Sequence, residues 1–157
     1  MQVIREAIEA DLVPMLDLAE ARREQYAFYH PLFHRPAHGA RDLQGPFFSK
    51  LMANEDFDVL VSETAGRVDG FLIGHVVPAP PVYDPGGLTC VIDDFVVAGA
   101  DTWARGGRAL LEEMKARARA RGAVQVIVVT APQDNPKRDM LEDAGLSVVS
   151  EWLAGNT

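Results

Sequence analysis

Three strand-like runs stand together in the middle of this 157-residue chain, and they decide what it can fold into. Residues 58–63 (DVLVSE) and 67–77 (RVDGFLIGHVV) flank Thr64-Ala65-Gly66, which reads as a hairpin turn. Residues 88–97 (LTCVIDDFVV) make a further strand, after a loop (PAPPVYDPGG, 78–87) whose prolines cannot join a central strand. A sheet of this kind buries a face only if helices cover it, and helical segments lie on both sides in the sequence. Asp11 is placed to cap a helix whose apolar positions Leu12, Met15, Leu16, Ala19 and Tyr26 keep helical spacing, with Pro14 tolerated in its first turn. Pro31, Pro36, Gly39, Gly45 and Pro46 make residues 31–46 a loop or broken helix, followed by a short helix over Phe47–Ala53.

The second half alternates. A helix over Ala104–Arg121 puts Leu110, Leu111, Met114 and Ala118 on one face, supports itself with the pairs Arg108–Glu112 and Glu113–Arg117, and stops at Gly122. Residues 123–130 (AVQVIVVT) are nearly all apolar, as in a strand buried on both faces. Residues 135–144 suggest a short helix ended by Gly145, and LSVVSEWL a last strand. With QVIRE at 2–6 as the opening strand, the order is β-α-α-β-β-β-α-β-α-β.

Composition narrows the function classes. The length suits one domain with a core of its own. A single cysteine, Cys90, cannot close an internal disulfide, and no apolar run is long enough for a membrane span. The opening MQVIREAIEADL lacks the charge and apolar pattern of a signal peptide, so the expected location is cytoplasmic. A net charge of −8 disfavours nucleic acid and anionic membranes as partners and is mildly favourable to cationic ligands. Against that background Thr102–Gly122 holds six basic residues and only two acids, Glu112 and Glu113, which marks it as a place for an anion.

Local chemistry points to the same stretch. A strand ends at Val97, a turn follows, and Gly106-Gly107 lead into a helix flanked by Arg105 and Arg108. N–H groups at a helix start beside glycines suit a phosphate or pyrophosphate. Asp93 and Asp94 are adjacent on a strand, so alternation sends one inward, beside Val91, Phe95 and Val97 or beside Ile92 and Val96. A carboxylate there needs a partner or a function. His30, His34 and His38 are spaced four apart, but Pro31, Pro36 and Gly39 break the helix that would align them for a metal. With Tyr26, Tyr29 and Phe33 they form an aromatic segment suited to packing or to lining a cleft.

This order and these motifs resemble the GNAT acyltransferase superfamily over nearly the whole chain. The carrying pieces are VIREAIEADLVPML, SETAGRVDGFLIG, VIDDFVVAGADTWARGGRALLEEM and QDNPKRDMLEDAGL. The resemblance implies one GNAT-like domain over 1–157, an α/β (α+β) fold with a mixed, mostly antiparallel central sheet. It implies acetyl transfer from acetyl-CoA, without a metal, to an amine of a small molecule or peptide by direct attack. In this reading the backbone of Phe95, Val96 and Val97 polarises the thioester carbonyl. The turn Thr102, Trp103, Ala104, Arg105, Gly106, Gly107 and Arg108 holds the pyrophosphate, and Asn135 is the family's loop asparagine. Asp93, or Asp94 on the other face, orients or deprotonates the amine, and Tyr26, Tyr29 and His30 line its cleft. The chain departs from the family at Thr102 and Arg105 in the loop, and at Leu141, where a tyrosine protonates the departing thiolate. Then either Tyr83, Thr130 or water is the donor, or the thiolate leaves unassisted, or there is no turnover. A homodimer is the expected assembly. The competing reading is a degenerate GNAT-like domain serving as a binding or interaction module. A Rossmann nucleotide domain fits poorly, because its glycine turn follows the first strand.

Overall fold

The computed structural model describes all of residues 1–157. Strand β1 (Gln2–Glu6) and a short 3-10 turn (Glu9–Asp11) lead into helices α1 (Leu12–Tyr29) and α2 (Ala40–Met52). Strands β2 (Phe57–Thr64), β3 (Arg67–Val77) and β4 (Leu88–Val97) follow. A 3-10 turn (Ala100–Thr102) and a π-type turn (Trp103–Gly107) then run into helix α3 (Arg108–Ala120), strand β5 (Ala123–Val128) and helix α4 (Asn135–Asp143). The five strands form one sheet in sequence order; β1 to β4 pair antiparallel, and β5 lies parallel to β4.

Strand alternation builds two cores. Val59, Val61, Phe71, Ile73 and Val96 face α1 and α2, where Met15, Leu16, Ala19, Phe48 and Leu51 meet them. Leu60, Leu72, Cys90, Ile92, Phe95 and Val97 face α3 and α4, against Leu110, Leu111, Met114, Met140 and Leu141. Along β4 the inward positions run Cys90, Ile92, then Phe95, Val97, so the period of two slips by one residue between Ile92 and Phe95. The cause is a β-bulge: Ile73 pairs with Asp94 and Gly74 with Ile92, leaving Asp93 without a cross-strand partner.

The structure corrects several expectations. α2 begins at Ala40 and carries Gly45 and Pro46 inside it. Gly45 is buried in α2, and a Cβ there would meet Leu16 Cδ1 of α1 at 3.6 Å, an ordinary van der Waals contact. β5 is not buried on both faces: it is an edge strand with Val124 and Ile127 exposed. LSVVSEWL forms no strand and runs in irregular, mostly exposed conformation.

Asp11 does not cap α1 either. Its carboxylate accepts the Ile8 N–H at 2.8 Å and two bonds from Arg5 at 2.7 and 2.9 Å, and the guanidinium holds it below the usual carboxylate range. The hairpin is as read, a two-residue turn in which Ala65 (φ 52°) and Gly66 (φ 75°) both take left-handed backbone.

Candidate active site

The sheet opens where β4 and β5 part. Their last shared backbone bond runs from Val129 N–H to Ile92 O at 3.3 Å, one residue before the bulge. Beyond it lies a cleft lined by one face of α1 (Leu18, Ala21, Arg22, Gln25), by β4 and the turn after it from Phe95 to Ala100, and by Trp103, Asp134 and Pro136. The α1 residues are spaced i, i+3, i+4, i+7, so a single helical stripe supplies that wall.

Ionisable side chains cluster around this opening. Arg22 pairs with Asp94 at 3.1 Å, joining α1 to the bulged strand. Tyr26 donates its hydroxyl to Asp134 Oδ2 at 2.6 Å. Burial, reinforced by the Asp134 carboxylate, pushes the Tyr26 hydroxyl well above the usual tyrosine range, which keeps it protonated. The side chain of Lys137 is fully buried, and its Nζ donates to Phe95 O at 3.1 Å and Val129 O at 3.0 Å. It thereby bridges the two strands at the point where their own ladder has ended. The aromatic faces of Phe95 and Trp103 lie 5.6 and 5.4 Å from it. Burial lowers the Lys137 ammonium to about 7; Arg22 acts in the same direction, and Asp134 and Asp94 oppose it. A lysine that exchanges its proton near neutrality therefore stands behind the cleft wall.

The turn after β4 differs from the expected phosphate loop. Gly106 and Gly107 are buried inside a helical turn. A Cβ at Gly107 would lie 2.6 Å from Trp103 Cε3, and one at Gly106 about 3.0 Å from Gln2 and Thr102. Both glycines pack closely against the fold, Gly107 on Trp103 and Gly106 beside Gln2 and Thr102. The helical run begins earlier, after Gly99, and its first internal bond is Thr102 N–H to Gly99 O at 3.0 Å. The N–H groups of Ala100 and Asp101, ahead of that bond, are the free donors of a helix start, and Ala100 lines the cleft. Ala104 and Arg105 are exposed, and Arg108 is tied to Glu112 at 3.1 Å, so Arg105 is the loop cation without an ion pair.

The remaining candidates scatter. Asp93 is exposed on the bulge and forms no ion pair, whereas Asp94 is half-buried against Arg22. Phe95, Val96, Val97 and Trp103 line the cleft, and Thr102 is half-buried beside it. Asn135 is exposed at the start of α4; its neighbour Asp134 is the residue that turns inward. Tyr26 borders the opening, while Tyr29 accepts a bond from Gln25 and His30 Nδ1 accepts the Phe33 N–H, outside the cleft. Tyr83 is 73% exposed on the 78–87 loop and lines no part of the cleft, and Thr130 bonds Ala131 O at 3.4 Å. Leu141 is buried in the α3/α4 core. Sequence reading missed Arg22, Asp134 and Lys137. The signal for Lys137 was its spacing, three and four residues before Met140 and Leu141 on the apolar face of α4.

No protein-family model and no curated protein sequence matches the chain. Solved structures do. A transcriptional regulator from Bacillus halodurans C-125 is 22% identical, with all of both chains covered and a TM-score of 0.73. A structure from Clostridium acetobutylicum, described as a predicted acetyltransferase with acetyl-CoA, is 16% identical over 99% of this chain and 96% of that one, with a TM-score of 0.71. An aminoglycoside acetyltransferase from an uncultured soil metagenomic sample, in complex with sisomicin, is 19% identical over 99% and 95%, with a TM-score of 0.63. Near-complete coverage and TM-scores of 0.63 to 0.73 show that the chain shares the fold of these solved structures, two of which are described as acetyltransferases.

Proposed function

We propose that the chain transfers an acetyl group from acetyl-CoA to an amine of a small molecule or peptide by direct attack. The observation that carries this reading is the parting of β4 and β5 at a bulge, with a cleft and an ionisable cluster at the opening. The likeness to solved acetyltransferases, one of them described with acetyl-CoA, supports it. In this reading the phosphates of acetyl-CoA lie at the N–H groups of Ala100 and Asp101, with the unpaired Arg105 guanidinium beside them. The backbone of Phe95–Val97 meets the thioester.

Asp93, exposed and free of an ion pair, takes the amine's proton directly or through water, while Asp94 holds Arg22 in the cleft wall. The amine nitrogen bonds to the acetyl carbon as the carbon–sulfur bond breaks. With Leu141 in the core and Lys137 buried behind the cleft wall, water supplies the proton the departing sulfur needs. A cytoplasmic location fits this use of acetyl-CoA; no helix of the protein is long and apolar enough to cross a membrane.

One observation favours a second reading, a binding module without turnover: Lys137 occupies Phe95 O and Val129 O and so closes the opening between the strands. Single-turnover transfer to a panel of amines, followed by release of the free thiol, separates the two. The first reading expects amine-dependent release that Asp93→Asn slows by ~10²–10⁴-fold. Binding of acetyl-CoA without release for any amine leaves the second.

A further inference from the structure

Lys137 takes no part in the chemistry above, yet it stands where the sheet stops holding itself together. Beyond the bond from Val129 N–H to Ile92 O the ladder between β4 and β5 is over, and the carbonyls of Phe95 and Val129 face the gap. The Lys137 Nζ donates to both, at 3.1 and 3.0 Å, so one nitrogen does what the ladder no longer does. That nitrogen is held in place. Its side chain is fully buried, with the rings of Phe95 and Trp103 at 5.6 and 5.4 Å from it and edge-on to each other at 4.9 Å. Met140 and Leu141, on the same face of α4, are fixed in the core.

The other side of β4 shows which backbone groups remain free. Val97 stands opposite Gly70 of β3, and the next residue, Ala98, donates its N–H to Asp69 O at 2.8 Å. Bonded and unbonded positions alternate along an antiparallel pair, so the N–H of Val97 points away from β3. It lies on the side to which the carbonyl of Phe95 points, at a level where β5 has already parted from β4. Val97 lines the cleft. A carbonyl that the lysine grips and a donor that nothing in the sheet uses are thus two residues apart on one strand.

We propose that Lys137 is a positioning residue: by holding Phe95 O and Val129 O together it fixes the spacing of β4 and β5, and so aims the free Val97 N–H at the acyl carbonyl of the donor. The proposal rests on the acetyl-transfer reading. Lys137 itself touches neither the acyl group nor the amine; it acts from behind the wall, through the strand. Past the bulge β3 restrains β4 on one side, and the lysine supplies the restraint on the other. Such a restraint matters because a backbone donor aimed at a developing oxyanion is worth about 10²–10³ in rate, and a misplacement of about 1 Å costs on the order of 10²-fold.

Infrared spectroscopy of bound acetyl-CoA, isotope-labelled at the acetyl carbonyl, reads that contact directly and needs no acceptor. The parent is compared with Lys137→Met and with Lys137→Gln, which keeps a donor but is one atom too short to bridge both carbonyls. Circular dichroism checks the fold, and calorimetry gives Kd for acetyl-CoA and for CoA. The parent should move the carbonyl stretch to lower frequency than in free acetyl-CoA. Both variants should lose most of that shift, the glutamine less, with CoA affinity unchanged within about 2-fold. Single-turnover thiol release with any amine the parent accepts should fall by ~10²-fold without a matching change in Kd. A shift that survives both substitutions overturns the proposal and leaves the transfer reading standing. A shift lost together with CoA affinity, or with the fold, also overturns it, since the lysine then serves stability alone. A parent that binds no acetyl-CoA overturns both.

Discussion

Replacing Lys137 by Met probes the cluster through stability, with no need to know the acceptor. The side chain is fully buried, donates to two backbone carbonyls and titrates at about 7, against 10.5 for a free lysine. Because the folded value lies below the unfolded one, the unfolded chain binds more protons between those limits, and stability rises with pH across that window. At 1.36 kcal/mol per pKa unit, burying this lysine costs about 4 kcal/mol at pH 7, and the parent regains about 3 kcal/mol of that by pH 9.5. Methionine has a similar length and no titration, so the variant lacks this gain. It leaves Phe95 O and Val129 O unpaired, at ~1–3 kcal/mol each, which offsets the relief at pH 7 and makes the two proteins similar there. Urea unfolding followed by circular dichroism at pH 7, 8 and 9.5 measures the difference. The parent should pull ahead of Lys137→Met by about 3 kcal/mol over the range. Parallel curves would refute the reasoning, because they would mean a lysine that keeps its proton and is therefore hydrated.

Three further substitutions test separate pieces. Gly107→Ala places a Cβ against the buried Trp103 ring and should cost about 1–3 kcal/mol of stability, with acetyl-CoA affinity of the folded protein little changed. An equally stable variant that loses affinity would restore the glycines to the binding loop. Ala65→Asn gives the hairpin the residue its left-handed backbone favours and should raise stability by about 0.5–1 kcal/mol in thermal unfolding; a loss would mean the turn is not as described. Asp94→Asn removes the carboxylate from Arg22 and from the surroundings of Lys137, so it should cost about 1 kcal/mol and lower the lysine's pKa further, read as the shifted pH dependence of unfolding.

Strand and hairpin boundaries were legible because they are set locally. β3 and β4 fall at 67–77 and 88–97 as read, since turn residues and prolines mark their ends. The start of α2 was not legible: Gly45 and Pro46 are breakers by local preference, whereas the packing of Phe48 and Leu51 into the core with α1 is tertiary. The bulge escaped for a related reason. Asp93 and Asp94 look like alternating positions until the pairing with β3 slips, and nothing in LTCVIDDFVV announces the slip. That slip exposes Asp93 and brings Asp94 to Arg22. At the glycine pair the sequence shows that a small residue is needed, and the packing of Gly107 on Trp103 that needs it is tertiary. Lys137 was readable in principle, as a cation on an apolar helix face. Its two carbonyl partners, 42 and 8 residues away, were not.

Calorimetric titration of the full chain with acetyl-CoA is the most direct test of the central claim, that the opening between β4 and β5 is an acetyl-CoA site. It is paired with Arg105→Ala, which removes an exposed cation that no ion pair holds. The parent should bind one equivalent per chain, and the variant about 5- to 10-fold more weakly at unchanged thermal stability, roughly the loss of one charge-assisted contact. Absence of saturable heat from the parent would contradict the account, and so would binding that Arg105→Ala leaves untouched.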